Sequence, residues 1–427
     1  VGQWRALVLG AIAVVAALPQ AAFAQVAVRA KVLHTMAPRG DGSLAPVIDN
    51  GVVVITDGKV AAVGQASEVA IPAGHRVLEA AVVTPGLIDA RCTVGVSGIL
   101  NQKQDQDQLE RSAPIQPELR AIDAYNPLDP LVAYVRSYGV TTIHTGHAPG
   151  ELISGQTAIF KTAGDTVEAA LVRDGAMIAA TVGPSASKGD KSPGNRAKMI
   201  AMLREQLIKA REYDERVSKG IDRRTPDPDK PDEPAPSASA RDLRLESLVR
   251  VLKGELPLLV TAHRSQDIAN VLRLAKEFGI RVVLDGASEA YLLVDELKAA
   301  NVDVIIHPTQ ARAVDELENK SFETAGDLQR ASIRVAMQGG YEPYVPKARV
   351  VLFEAGTAAG VGRMGMVNAL RTITIDAAKI LGVDARVGSL EVGKDGDVAL
   401  YDADPFEYTS HCVGVVINGA VVSEAVR

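Results

Sequence analysis

Four of the seven histidines, His144, His147, His263 and His307, fall at the ends of apolar runs that read as buried strands. Two carboxylates, Asp285 and Glu354, sit near the ends of similar runs. Neutral imidazole and carboxylate are the donors of mixed nitrogen and oxygen zinc sites. A divalent metal held by them would lower the pKa of a bound water to about 7 and polarise a scissile carbonyl. The plainer reading is that strand ends collect polar side chains, and a single histidine is more often a hydrogen-bonding group than a ligand. His144-Thr145-Gly146-His147 is by itself a weak pattern. Residues 82–98 bring a second set. Alternate side chains of a strand share a face, so Arg91 and Thr93 point inward and Cys92 points away. Arginine stays protonated in proteins and offers no lone pair to a metal.

These residues need a frame that gathers strand ends. From residue 84 onward apolar runs alternate with helical patterns, which is the α/β signal. Strand ends are expected near Ala90, Thr145, Lys161, Gly183, His263, Gly286, Pro308 and Ala355, enough for a (β/α)8 barrel, or TIM barrel. The third of these, residues 157–161, also fits one arm of a hairpin with residues 168–172. Helical spacing is clear over 195–217, 267–278, 289–300 and 374–381. The apolar runs at 26–33, 51–56 and 60–64 read as short strands, the last two joined through Asp57-Gly58 as a hairpin. Short strands return after residue 384, and resemblance to a known family, more than the strand pattern, implies that both chain ends build one small β-sandwich. The expected organisation is 1–24 signal peptide, 25–83 first part of the sandwich, 84–383 barrel, and 384–427 second part of the sandwich. Residues 218–240, rich in Pro and charge, read as a flexible insertion within the barrel.

Residues 1–24 carry Arg5, an apolar run over 6–18 and a small-x-small site at Ala22-Phe23-Ala24. Export to the periplasm or beyond is therefore expected, with no membrane span after cleavage, because the run is short of the ~20 residues a span needs. Hydrophobic residues at 47% and charged residues at 23% fit a packed globular chain. A formal charge of −6 without a basic patch argues against nucleic acid. Cys92 and Cys412 are expected buried and free, and no cysteine-based zinc pattern exists. No Gly-x-Ser-x-Gly elbow, phosphate loop or dinucleotide fingerprint is present.

Several motifs are similar to those of the amidohydrolase superfamily. Pro85-Gly86-Leu87-Ile88-Asp89-Ala90 matches the start of its first-strand signature, Pro-Gly-Leu-Ile-Asp-Ala-His-x-His. Thr261-Ala262-His263-Arg264-Ser265-Gln266-Asp267-Ile268 resembles its His-Ala-His-Arg-x-x-Asp-Ile. The run from Gly388-Ser389-Leu390-Glu391 to Asp397-Val398, and Val415–Gly419 beyond it, resemble its C-terminal strands. The likeness is greatest to exported imidazolonepropionase-like and dipeptidase-like members.

The resemblance implies a hydrolase of C–N bonds in peptides, N-acyl amino acids or cyclic amides, with metal ligands at several strand ends. Arg91 and Thr93 then occupy the places of the two first-strand histidines, and Asp285 that of the sixth-strand histidine. Glu354 is the carboxylate nearest the place of the eighth-strand aspartate, and only His263 matches a ligand position. Lys161 is not at the bridging position. Two readings follow. In one, Arg91 replaces the metal's positive charge among Asp285 and Glu354, no cofactor is bound, and the protein is a silent binder of a small molecule or peptide. It would then act alone, as a homo-oligomer, or paired with an intact homologue. In the other, one divalent metal, zinc, sits on His263 with His144, His147 or His307, and Asp285 or Glu354 serves catalysis.

Overall fold

The computed structural model describes residues 25–100, 102–219, 241–341 and 350–427. The expected export segment and residues 220–240 of the expected insertion lie outside them. The chain opens with four strands, β1 (Val26–Leu33), β2 (Ile48–Thr56), β3 (Lys59–Gln65) and β4 (Arg76–Pro85). Then β5 (Leu87–Cys92), helix α1 (Pro130–Arg136), β6 (Val140–Thr145), β7 (Ile153–Gln156) and β8 (Ala158–Lys161) follow. Next come α2 (Val167–Ala170), β9 (Leu171–Arg173), β10 (Ile178–Thr181), α3 (Arg196–Ser218) and α4 (Leu243–Leu252). Regular alternation sets in with β11 (Leu258–Ala262), α5 (Ser265–Phe278), β12 (Val282–Gly286), α6 (Val294–Ala300), β13 (Asp303–Ile306), α7 (Thr324–Arg330) and β14 (Val335–Ala336). Helices α8 (Val351–Gly360), α9 (Met366–Thr372) and α10 (Ile375–Leu381) lead to β15 (Val398–Tyr401), β16 (Cys412–Ile417) and β17 (Ala420–Ser423).

The two chain ends meet in one seven-stranded sheet, ordered β17-β16-β15-β4-β1-β2-β3, and the turn between β2 and β3 reaches the segment before β15, where Gly396 N donates to the Gly58 carbonyl at 2.8 Å. The seam is β4, which pairs in parallel with β1 and antiparallel with β15. Because β4 accepts a neighbour on each edge, it joins the N-terminal to the C-terminal strands around one apolar cluster that includes Val28, Val53, Val83, Val398 and Val416.

Where a barrel was expected, the strands form two open sheets of a mixed α/β fold, β14-β13-β12-β11-β10-β7 and β5-β6-β8-β9. From β10 to β14 every pairing is parallel, so the C-terminal strand ends gather on one side. The edge of β14 meets β5 through Ala90 N to Met337 O at 3.3 Å and Gly340 N to Arg91 O at 3.2 Å. The inner face carries an apolar layer of Ile88, Ala90, Leu259, Val283, Ile305 and Ala336. Ala377, Ala378, Ile380 and Leu381 of α10 pack into the same cluster.

One sequence expectation is corrected, and one of two alternatives is settled. The eighth strand is β14, not a strand ending near Ala355. Residues 351–360 form α8, whose buried Val351, Leu352, Ala355, Ala358 and Ala359 repeat with a helical period. And the segment ending at Lys161 is a hairpin arm: β8 runs antiparallel to both β6 and β9. That reversal carries Lys161 away from the gathered strand ends, opposite Thr142 near the start of β6. There its ammonium is buried and paired with Asp397 and, at 3.0 Å, with Asp395. Asp395 also meets Lys59 at 2.6 Å and Arg386 at 3.0 Å. Buried ions are tolerable only when so matched, and removing one partner is costly. Lys161→Met should therefore lower unfolding stability by about 3–5 kcal/mol, read as a fall in the denaturant midpoint. An unchanged midpoint would show that this junction does not fasten the seven-stranded sheet to the hairpin.

Candidate active site

Side chains alternate along a strand, so two residues beyond the apolar layer the inner face presents a second layer. Those positions are Thr261 after Leu259, Asp285 after Val283, His307 after Ile305 and Gln338 after Ala336, and all four are buried. His263 follows Thr261 on the same face. The layer is polar, and Arg91 at the end of β5 lies against it.

Arg91 is 1% exposed. Its Nε lies 3.8 Å from Asp285 Oδ2, its Nη2 donates to the His147 carbonyl, and its Cζ is 6.0 Å from the centre of the Tyr341 ring. Nε and Nη1 have no hydrogen-bond partner. Asp285 is held from three sides, since Thr261 Oγ1 donates to Oδ2 at 2.6 Å and Gln338 Nε2 to Oδ1 at 2.8 Å. Burial pushes its pKa up, while Arg91, Thr261 and Gln338 pull it down. Asp89 accepts from the backbone N–H of Gly339 at 2.9 Å and of Arg91 at 3.2 Å. Burial raises its pKa to about 7, opposed by those two N–H groups, with the charge of Glu354 pushing the same way as burial.

The four histidines do not share one centre. His144 is spent on packing: Nδ1 is 2.7 Å from the Ala90 carbonyl and Nε2 2.6 Å from Thr157 Oγ1. A carbonyl only accepts, so Nδ1 carries the proton. Burial and then Arg91 lower its pKa to about 3. His147 lies beside Arg91, and the same two causes lower it to about 4. His263 and His307 form a separate neighbourhood. His263 Nδ1 is 2.8 Å from Ser288 Oγ, and burial followed by the charge of His307 lowers its pKa to about 3. Its ring lies over Gly286, where an added Cβ would come within 2.5 Å, so only glycine fits there. His307 donates from Nδ1 to the Pro308 carbonyl at 2.9 Å, burial lowers its pKa to about 4, and its buried Nε2 has no partner.

Glu354 enters from α8, not from a strand. Its Oε2 accepts from Thr309 N at 2.5 Å and from Thr309 Oγ1, which ties α8 to the loop after β13. Thr93 Oγ1 is 3.2 Å from Ser97 Oγ in the loop after β5. Cys92 faces away, its Sγ 3.6 Å from the His144 carbonyl, and Cys92 and Cys412 are both buried and free. Sequence reasoning missed Asp89, Thr261 and Gln338. Thr261 was within reach through its two-residue step from His263, whereas Gln338 was hidden by the misplaced eighth strand.

A divalent metal needs several converging nitrogen or oxygen donors. Among the described residues no group of three His, Cys, Asp or Glu side chains converges as a metal would require. The arginine-centred polar layer does not fit the ligand set that the sequence motifs imply.

Residues 339–423 match a family model described as the Amidohydrolase family. The chain is 25% identical over 391 residues, 87% of its length, to "Amidohydrolase tasK" of Hapsidospora irregularis. It is 30% identical over 196 residues, 38% of its length, to an imidazolonepropionase of Shewanella sp. (strain MR-4). The matches span 39% and 46% of those two proteins' own lengths, so the chain spans less than half of each. Among solved structures, an amidohydrolase from Thermotoga maritima MSB8 superposes with a TM-score of 0.82 at 24% identity, covering 94% of this chain and 100% of that one.

The Asp89 carboxyl yields a pH test. Its pKa is about 7 in the fold against an ordinary 3.8, so the folded state holds the proton more tightly. The Asp89 contribution to stability, read as the difference between the native chain and Asp89→Asn, should be greatest below about pH 4, fall between pH 4 and 7, and level off above. Asp89→Asn keeps an acceptor for both N–H groups and removes the charge. It should flatten that fall and gain on the order of 3 kcal/mol at pH 8, measured by denaturant unfolding across pH. The same slope in both proteins would show that Asp89 ionises normally.

Proposed function

Since this chain belongs to the amidohydrolase superfamily, we propose that it is a hydrolase-like protein in which Arg91 has taken over the electrostatic role of the metal, leaving a catalytically silent binder. The observation that carries this reading is the fully buried Arg91 guanidinium beside Asp285. A buried carboxylate is costly unless a positive charge answers it. A guanidinium supplies that charge with planar donors, yet it neither accepts a proton nor activates a water. Peptides, N-acyl amino acids and cyclic amides are the ligand classes that follow from the family. The finer architecture of the reading is a (β/α)8 barrel, supported by the backbone bonds between β14 and β5. Work in the periplasm or beyond belongs to the same proposal, supported by the apolar run and small-x-small site within residues 1–24.

A second reading is an active hydrolase on a rearranged site. It is favoured by His307, whose proton sits on Nδ1 and whose Nε2 lone pair is buried without a partner next to His263. No catalytic step is derived through such a metal.

Elemental analysis of the purified, untagged chain separates the two. The silent reading expects metal far below stoichiometric amounts and no chelator-sensitive turnover of dipeptides or N-acyl amino acids. Stoichiometric zinc that is lost together with turnover in His263→Ala would overturn it in favour of the second. Arg91→Ala should leave Asp285 unanswered and cost about 3–5 kcal/mol of stability. Full stability in that variant would count against the electrostatic role given to Arg91.

A further inference from the structure

The chain that leaves β13 does not turn straight into α7. Residues 308–320 make a loop whose base is closed by Lys320 Nζ, which donates to the Thr309 carbonyl at 3.0 Å. A compact loop with its ends together is an Ω-loop. Its tip travels sideways over the strand ends. Arg264, after β11, donates to the Asp315 carbonyl at 3.2 Å and to Glu318 at 2.7 Å. Beyond β12, Glu289 accepts from Asn319 Nδ2 at 2.7 Å, and the Tyr291 hydroxyl donates to the Asn319 carbonyl at 3.2 Å. Glu316 reaches farthest, since a Cβ on Gly183, after β10, would come within 2.7 Å of its Oε2. β10 lies three places from β13 in the sheet. The loop is thus strapped across the ends of β12, β11 and β10, on the side where His263 and His307 stand.

The charges around the tip do not balance. Asp267, buried at the start of α5, takes Arg196 of α3 with both oxygens, at 2.6 and 3.1 Å. The same Gly183 position lies 3.4 Å from Asp267 Oδ2, so both carboxylates converge on one stretch of backbone. Arg196 is the cation that faces them both. Ser185 donates to Glu316 from its hydroxyl and its backbone N–H, and Tyr341 approaches from beyond β14. Two carboxylates sharing one guanidinium are best accommodated when one of them holds a proton. Burial and the charge of Asp267 push the Glu316 pKa above its ordinary 4.5, while Ser185 and Arg196 pull it down. A carboxyl with a pKa higher in its niche than in water grips the niche best when protonated. That contribution is full below the ordinary value and is lost as pH rises through the raised one. The other fasteners do not follow this course. Arg264 stays charged, and against its burial Asn319 and Ser265 hold Glu289 below the usual carboxylate range.

We propose that residues 308–320 form a lid over the strand ends, latched by Glu316 in the niche of Gly183, Ser185 and Asp267, which closes in mild acid and loosens as that carboxyl gives up its proton. The lid is independent of whether the arginine-centred layer is silent or catalytic.

The test is hydrogen–deuterium exchange of the whole protein near pH 5 and near pH 8, read on peptides covering 308–320 and corrected for intrinsic rates. Protection should be several-fold greater near pH 5. Glu316→Gln keeps an acceptor for Ser185 without a charge and should protect the loop equally at both. Ser185→Ala, at an exposed position, removes a donor that the ionised form uses. It should lower protection more near pH 8 than near pH 5, and it serves where Glu316→Gln fails to fold. Covering is read separately. With pKa values of about 3 and about 4, His263 and His307 are neutral at both pH values, so their carbethoxylation by diethyl pyrocarbonate, with a chelator present, follows access. It should quicken near pH 8 in the native chain and not in Glu316→Gln. Equal loop protection at both pH values in the native chain overturns the proposal. So does a pH dependence that survives Glu316→Gln, equal losses at both pH values in Ser185→Ala, or loop exchange that quickens while histidine modification does not.

Discussion

A charged group withdrawn from water must be answered by another charge or by hydrogen bonds, and the centre of this molecule is arranged around that requirement. Arg91 and Asp285 are both buried among strand ends. Neither is comfortable alone. Asp285 needs Thr261 and Gln338 as well as Arg91, and Arg91 needs the His147 carbonyl. These partners come from β5, β11, β12 and the segments after β6 and β14. The ion pair therefore fixes how the edge of the six-stranded sheet meets β5. The histidines follow from the same condition: desolvation and, for His144 and His147, the nearby guanidinium keep them neutral.

The inner layers were legible in the sequence because they obey a two-residue period. Leu259, Thr261 and His263 could be read off in order, as could Val283 with Asp285 and Ile305 with His307. Arg91 could be singled out because it interrupts the Pro85–Ala90 motif with a residue of the wrong chemistry. What could not be read was direction and length. β14 has two residues, Val335–Ala336, too few to show a period, while 350–356 offered a longer apolar run. Its helical repeat emerges only when Ala358 and Ala359 are counted with it. Glu354 was consequently given to a strand, and Gln338 to nothing.

Lys161 shows the second limit. A strand reads the same in either direction, and only pairing decides which end a residue occupies. The antiparallel β8 moves Lys161 to the opposite end from His263 and into the company of Asp395 and Asp397, more than two hundred residues away in sequence. The seven-stranded sheet is a similar case. The short strands at both chain ends were visible, but which of them become neighbours depends on which edges of β4 are taken.

That shared sheet has a consequence for how the chain comes into being. β4 is synthesised early, yet its antiparallel neighbour β15 begins at Val398. During synthesis one long edge of β4, rich in valine, has no partner while the intervening segments are made. Exposed edges of this kind invite pairing with other chains, and contacts so distant in sequence form slowly. The nascent protein's exposure to aggregation is thus set by the time needed to translate some three hundred residues, on the order of 15–60 s.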